Sequence, residues 1–144
     1  MGEEVIRVKR LRANARLPER ATEGSTGYDL YACLDAPLEI GQEPVKVPAG
    51  IAIEAPAGFD VQVRPRSGLS SKGVMVAFGT VDSDYRGELL VTLYTLPYRE
   101  PHVVHDGDRI AQMIVSRAEH PALEVVEELS VTARDTGGHG STGR

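Results

Sequence analysis

Several things are scarce in this chain, and each shortage closes off a class of protein. It carries one cysteine, Cys33, so no internal disulfide can form, which suits a reducing cytoplasm. Cys33 lies in the apolar stretch 30–34 and reads as a small core residue rather than a nucleophile. No apolar run approaches the roughly 20 residues that span a bilayer. Residues 1–4 are acidic at Glu3 and Glu4 and lack the apolar core of a secretory signal. The expectation is a cytoplasmic protein with no membrane partner. The four histidines, His102, His105, His120 and His139, are scattered without zinc-site spacing. There is no Gly-x-Ser-x-Gly elbow and no Gly-Lys-Ser/Thr phosphate loop. Positive charge is short as well. The net charge is -5, and no basic stripe exists of the kind that tracks a nucleic-acid backbone. The cluster at 7–12 alternates Arg and Lys with apolar residues, as a strand with one solvated face does. An anionic ligand must therefore be met by a few placed cations.

What is present points to a single β domain. The 144 residues are enough for one hydrophobic core, and 41% apolar with 26% charged is the balance of a globular protein. Period-two alternation recurs at 5–11, 45–47, 51–55, 59–64 and 109–115. Turn signals separate these runs at 41–44, 48–50, 56–58 and 106–108. Many short strands at even spacing, with fifteen glycines and nine prolines, predict an all-β sandwich, jelly roll or barrel. The one helix expected is a turn or two near 67–72. No internal repeat or long linker divides the chain.

Three segments carry more chemistry than their local structure requires. Residues 79–88 place Asp82, Asp84, Tyr85 and Arg86 between two apolar runs, 74–78 and 89–94, that read as a hairpin. A turn needs Asp, Ser and Gly, but it has no need of two carboxylates, a phenol and a guanidinium together. Asp82 and Asp84 stand open to three readings: metal ligands, a general base, or turn formers. In a strand they would share one face. Residues 64–70 bring Arg64, Arg66, Ser67, Gly68 and Ser70 to the end of a strand, which fits either phosphate binding or a strand-to-helix turn capped by Ser67. The last eleven residues, 134–144, hold four glycines, hydroxyls and a cation at each end. They read equally as a frayed tail or as backbone that wraps an anion. Carboxylates beside substrate phosphates would suit an oxygen-bound ion such as Mg²⁺. The residues by themselves therefore describe a small all-β protein that handles a phosphorylated ligand.

Five motifs, collinear over nearly the whole chain, make the sequence resemble the homotrimeric dUTPase family. They are Gly24-Ser25-Thr26-Gly27-Tyr28-Asp29-Leu30-Tyr31-Ala32, Arg64-Pro65-Arg66-Ser67-Gly68-Leu69-Ser70, Asp82-Ser83-Asp84-Tyr85-Arg86-Gly87, Gly107-Asp108-Arg109-Ile110-Ala111-Gln112-Met113, and the glycine-rich tail. The resemblance implies a jelly-roll-like distorted barrel of short strands with one short helix, assembling as a homotrimer with shared active sites. It implies a β domain over 1–133 and a flexible arm over 134–144 that closes on the site. The activity implied is hydrolysis of dUTP to dUMP and pyrophosphate with Mg²⁺, which keeps uracil out of DNA and supplies dUMP for thymidylate synthesis.

The same resemblance assigns roles. Asp82 would activate the attacking water. Gly79, Thr80 and Val81 would read the uracil edge through their backbone, Tyr85 would lie beneath the deoxyribose, and His139 would stack on the base. Arg66, Ser67, Gly68 and Gln112 would hold phosphates, joined by Arg134, Gly140, Ser141 and Thr142 from the arm. Asp29 would meet Mg²⁺ through water. Asp84, Arg86, Asp108 and Arg109 are expected to brace the fold. Two positions depart from the family pattern: His139 stands where a Phe is usual, and Asp135 where a Gly is usual. The rival readings are a dCTP deaminase-like enzyme of the same fold, which would lack the Asp-x-Asp-Tyr segment, and a non-enzymatic nucleotide-binding jelly-roll module.

Overall fold

A computed structural model describes residues 4–140 and 143. Among them are eleven strands and one helical turn: β1 (Arg7–Arg10), β2 (Tyr28–Tyr31), β3 (Leu38–Ile40), β4 (Val45–Pro48), β5 (Ile51–Glu54), β6 (Phe59–Arg64), α1 (Ser67–Ser70), β7 (Val74–Val76), β8 (Gly79–Val81), β9 (Leu90–Thr95), β10 (His102–Val104) and β11 (Arg109–Arg117). All pairings are antiparallel and form sheets β2-β11-β6-β8, β4-β9-β7, β1-β5 and β10-β3. This is the all-β, jelly-roll-like barrel with one short helix that the sequence predicts. The longer strands alternate as their residues dictate. In β9, Val91, Leu93 and Thr95 point inward while Leu90, Thr92 and Tyr94 are more exposed. The inward sets meet in one core around Leu30, Ile40, Ile51, Leu93 and Ile110.

Three strands, β2, β3 and β10, fall outside the alternating runs. At three or four residues each they are too short for a period to show, and β2 is buried along most of its length. β11 carries an irregularity that matters later. Its register against β2 shifts between Arg109 and Ala111, so Ile110 and Ala111 are both buried. Beyond that shift, Gln112 stands opposite Asp29 on one side and Arg64 on the other.

The segment 79–88 corrects the hairpin reading in one respect. β7 and β9 do pair, with Val74 opposite Thr95 and Val76 opposite Leu93. Between them, however, the chain crosses to the other large sheet, where β8 pairs with β6, Val63 opposite Gly79 and Val61 opposite Val81. Asp82, Ser83 and Asp84 then make a tight turn, closed by the Tyr85 amide donating to the Asp82 carbonyl at 3.0 Å. The turn replaces the strand in which the two aspartates would have shared a face. The helical turn also differs in detail: Arg66, with extended backbone, is its N-cap and makes no side-chain cap bond, so Ser67 is inside the helix rather than capping it.

Gly50 joins the pieces. It sits between β4 and β5 at φ 73°, where a Cβ would fall 2.6 Å from the Cys33 sulfur and 2.9 Å from the Ala15 methyl carbon. Its carbonyl accepts from the Leu11 amide at 2.8 Å, and its own amide donates to the Glu88 carboxylate at 3.0 Å. Cys33 is buried beneath it, and that burial pushes its thiol pKa up. It is a core residue, as the sequence predicts. Gly50→Ala should destabilise the protein by about 2–5 kcal/mol, combining overpacking with left-handed strain. Gly58→Ala, also at positive φ but in open space, should lose only about 1–2 kcal/mol; urea midpoints of the two variants make the comparison.

Candidate active site

The adjacency of β2, β11 and β6 builds one cluster of polar side chains. Asp29, on β2, is only 9% exposed, and its Oδ1 accepts from the Arg66 Nε at 3.1 Å. Its Oδ2 lies 3.7 Å from Nη1 of Arg109, at the start of β11. A buried carboxylate tolerates its burial because two guanidiniums face it. Arg66 is in turn fixed by the end of β6, and its Nη groups have no hydrogen-bond partner among the described residues. The Gln112 side-chain amide donates to the Pro65 carbonyl at 2.9 Å, immediately beside Arg66. Gly27 is required here, since a Cβ on it would lie 2.2 Å from Gln112 Oε1. Ser67 and Gly68 are exposed at the mouth of the same cluster. Nothing lies within 4 Å of where a Gly68 Cβ would be, so the fold itself gives no reason for a glycine there. An exposed backbone with no side chain beside an unengaged guanidinium face is an arrangement that accepts phosphate.

A second cluster belongs to the sheet-crossing segment. Gly79, Thr80, Val81, Asp82 and Tyr85 line a cavity of about 210 Å³ whose apolar side includes Val63 and Leu89. β8 pairs with β6 along one edge and is the open edge of its sheet along the other. Its outer backbone donors and acceptors are therefore available to a ligand. A Cβ at Gly79 would meet nothing closer than Val63 at 3.7 Å, so this glycine too is not demanded by crowding. The Tyr85 hydroxyl donates to the Glu88 carbonyl at 2.8 Å, and the ring lies over Gly87, where any Cβ would clash with it. Asp82 is exposed, and its carboxylate has no hydrogen-bond or ion-pair partner among the described residues.

Of the expected braces, Arg86 pairs with Glu54 at 3.2 Å rather than with Asp84. The Asp108 carboxylate accepts from the His105 amide at 2.8 Å and closes the turn before β11. Glu54 and Glu88, both contacts of the sheet-crossing segment, carry no local signal that would single them out. Their partners lie 32 and 38 residues away, and only the folded chain brings them together.

Among the described residues, 134–140 make no hydrogen bond or ion pair with either cluster. Beyond β11, every residue from 119 to 136 is exposed, with Leu123 at 96% and Val125 at 100%. This extended chain thus starts well before Arg134. The described hydrogen bonds of Arg134, Asp135 and Gly137 stay within the arm: the Arg134 Nε donates to the Gly137 carbonyl at 2.6 Å, and the Asp135 amide to the Thr132 hydroxyl at 3.0 Å. Asp135 and His139 are left-handed, at φ 49° and 51°, and Gly140 is at 88°. Asp tolerates that conformation better than most residues, and glycine takes it freely. Ser141 and Thr142 lie outside the described residues.

The structure thus gathers Asp29, Arg66, Ser67, Gly68 and Gln112 in one place and residues 79–82 with Tyr85 in another. Arg134, His139 and Gly140 are in a third. No hydrogen bond or ion pair among the described residues links one of these groups to another.

Known proteins show the same arrangement of sequence and fold. A family model described as dUTPase matches residues 13–143. The deoxyuridine 5'-triphosphate nucleotidohydrolase of Chlamydia trachomatis serovar L2 is 46% identical over 140 residues, covering 93% of this chain and 95% of that protein. Among solved structures, a mutant dUTPase of Staphylococcus bacteriophage 80alpha with dUpNHpp superimposes with a TM-score of 0.83 at 27% identity, covering 97% of this chain and 99% of that one. A mutant dUTPase from phage phi11 of S. aureus, described as coordinating a structural Mg(II) ion, superimposes with a TM-score of 0.77 at 24% identity, over 86% of this chain and 97% of its own. With the family matched across 13–143 and the fold shared end to end, the chain belongs to the dUTPase family and is a nucleotidohydrolase of that family.

Proposed function

We propose that this enzyme hydrolyses dUTP through a water activated by Asp82. The observation that carries the reading is the free, exposed carboxylate of Asp82, next in sequence to the open-edged β8 and facing a nucleoside-sized cavity. Asp82 takes a proton as the water oxygen bonds to the α-phosphorus. The bond from that phosphorus to the α,β-bridging oxygen breaks, and pyrophosphate leaves with dUMP as the other product. The open edge at Gly79, Thr80 and Val81 suits the hydrogen-bonding edge of uracil. The ring of Tyr85, pinned through its hydroxyl, offers a flat surface for deoxyribose. Arg66, Ser67, Gly68 and Gln112 present cation, hydroxyl and bare backbone to the triphosphate.

The Mg²⁺ implied by the family must be carried by the phosphates. Asp29 already faces two guanidiniums, and the described residues contain no group of three or more His, Cys, Asp or Glu that could hold a metal ion. That donor set does not grip an ion alone; it fits one bound to the substrate's oxygens, with Asp29 reaching its water shell. Such an ion would neutralise charge on the phosphates, while orientation of the chain is left to Arg66 and Gln112.

Three separate clusters on one chain support a homotrimer in which different subunits complete each site. The exposed arm, with Leu129 86% and Val131 90% accessible, is suited to lie along another copy. In this reading it delivers Arg134, Gly140, Ser141 and Thr142 to the phosphates and His139 to the base. No helix among the described residues is long and apolar enough to cross a membrane.

Three measurements test these assignments. Pyrophosphate release by Asp82→Asn should fall about 10²- to 10⁴-fold while dUTP still binds; retained turnover would remove Asp82 as the base. Gly68→Ala should unfold at the same temperature as the parent or slightly higher, since alanine is the better helix former. Its KM for dUTP should nonetheless rise roughly tenfold from the lost phosphate approach; an unchanged KM would show that the bare backbone is not used. A chain ending at Ala133 should keep the trimer mass by light scattering yet lose about a hundredfold in turnover.

A further inference from the structure

We propose that Glu54 is a positioning residue for the Asp82 carboxylate, acting through Arg86. The turn that carries Asp82 has little else to hold it. Asp82, Ser83, Asp84, Tyr85 and Arg86 are all exposed, and the turn's own backbone closes it with one hydrogen bond, from the Tyr85 amide to the Asp82 carbonyl. Arg86 supplies the rest. Its Nη1 donates to the Ser83 carbonyl at 2.7 Å and to the Tyr85 carbonyl at 3.2 Å, so one guanidinium binds two acceptors of the turn.

A long, half-exposed arginine holds such a geometry only if it is itself oriented, because a free side chain of this kind samples many rotamers. Glu54 does the orienting. It ends β5, its Oε1 lies 3.2 Å from Arg86 Nη2, and its Oε2 accepts from Arg7 Nη1 at 3.0 Å. The position of Glu54 is fixed by strand register, with Arg7 directly opposite it on β1. The other end of β5 holds the returning limb of the same segment. The Leu89 amide donates to the Ile51 carbonyl at 2.9 Å, and Glu88 accepts from the Gly50 amide. β5 therefore grips the sheet-crossing segment at both ends, and Glu54 is the grip nearest Asp82.

The two possible roles of this contact differ in magnitude. As a stabilising ion pair between groups 52% and 42% exposed, it is expected to add little to folding. As an orienting contact for a catalytic carboxylate it has more leverage, since a displacement on the order of 1 Å can reduce turnover up to about a hundredfold.

The proposal rests on Asp82 being the general base, so the experiment includes Asp82→Asn as its reference. Full-length Glu54→Ala, Glu54→Gln, Arg86→Ala, Arg7→Ala and the Glu54→Ala/Arg86→Ala double variant are compared for kcat, KM, dUpNHpp affinity and unfolding temperature. Glu54→Ala should lower kcat about tenfold with KM, dUpNHpp affinity and unfolding temperature unchanged. Glu54→Gln, which keeps an acceptor for Arg86, should recover most of that loss. The double variant should be no slower than Arg86→Ala alone, because both changes remove one linkage. Arg7→Ala, which removes the other partner of Glu54, should leave kcat intact. A kcat for Glu54→Ala within twofold of the parent overturns the proposal, as do additive losses in the double variant or an equal loss in Arg7→Ala. If Asp82→Asn also keeps its turnover, the base assignment has failed; if it is slow while Glu54→Ala is not, only the role of Glu54 has.

Discussion

The hydrogen bond from the Gly50 amide to the Glu88 carboxylate is the contact on which the rest of the architecture turns. A backbone donor meeting a charged acceptor in a half-buried setting contributes about 1.5–3 kcal/mol, and here it joins three remote parts of the chain. Gly50 is held against Cys33 and Ala15 in the core and receives the Leu11 amide from the N-terminal segment. Glu88, itself 3.6 Å from an Arg12 guanidinium, is where the chain returns from its excursion between sheets. Tyr85 donates to the carbonyl of that same Glu88. The ring proposed to receive deoxyribose is thus two hydrogen bonds removed from Gly50 in the core. Exposed active-site residues gain rigidity here by being tied to a residue that cannot move.

Electrostatics divides the site in a comparable way. On one side, Asp29 is buried and satisfied by Arg66 and Arg109, so its charge is spent on fixing the angle of Arg66. On the other, Asp82 is exposed, and its carboxylate has no hydrogen-bond or ion-pair partner among the described residues. The two carboxylates differ because their neighbours differ: guanidiniums on adjacent strands in the first case, a turn of backbone and solvent in the second. In the proposed trimer, assembly and arm closure would complete the site, and one copy leaves Leu123, Val125, Leu129 and Val131 uncovered.

Much of this was legible in the residues. Alternation exposed β1, β4, β5, β6 and β11, and the apolar run at 89–94 exposed β9, because a half-buried strand must place every second side chain in the core. The surplus of Asp, Tyr and Arg singled out 79–88, the segment that crosses between the two large sheets. Its path was not legible. Gly79–Val81 is too short to announce a strand, and nothing local states that its partner is β6 rather than β9. The strands β2, β3 and β10 were hidden for the same reason of length. The register shift at Ile110 was hidden too, since it exists only relative to the neighbouring strand.

By itself, the sequence determined the class of fold, the poverty of cations and the residue types able to meet a nucleoside triphosphate. These follow from composition, period and local turn chemistry, which act within a few residues. Tertiary structure alone decided which of those residues meet. It set Gln112 opposite Asp29, turned Arg66 onto a buried carboxylate, and brought Glu54 and Glu88 to the two limbs of the Asp82 segment. It also left residues 119–136 exposed. Such outcomes depend on strand register and on contacts 30 or more residues apart in sequence, and a sheet sets register through pairings that no single strand encodes.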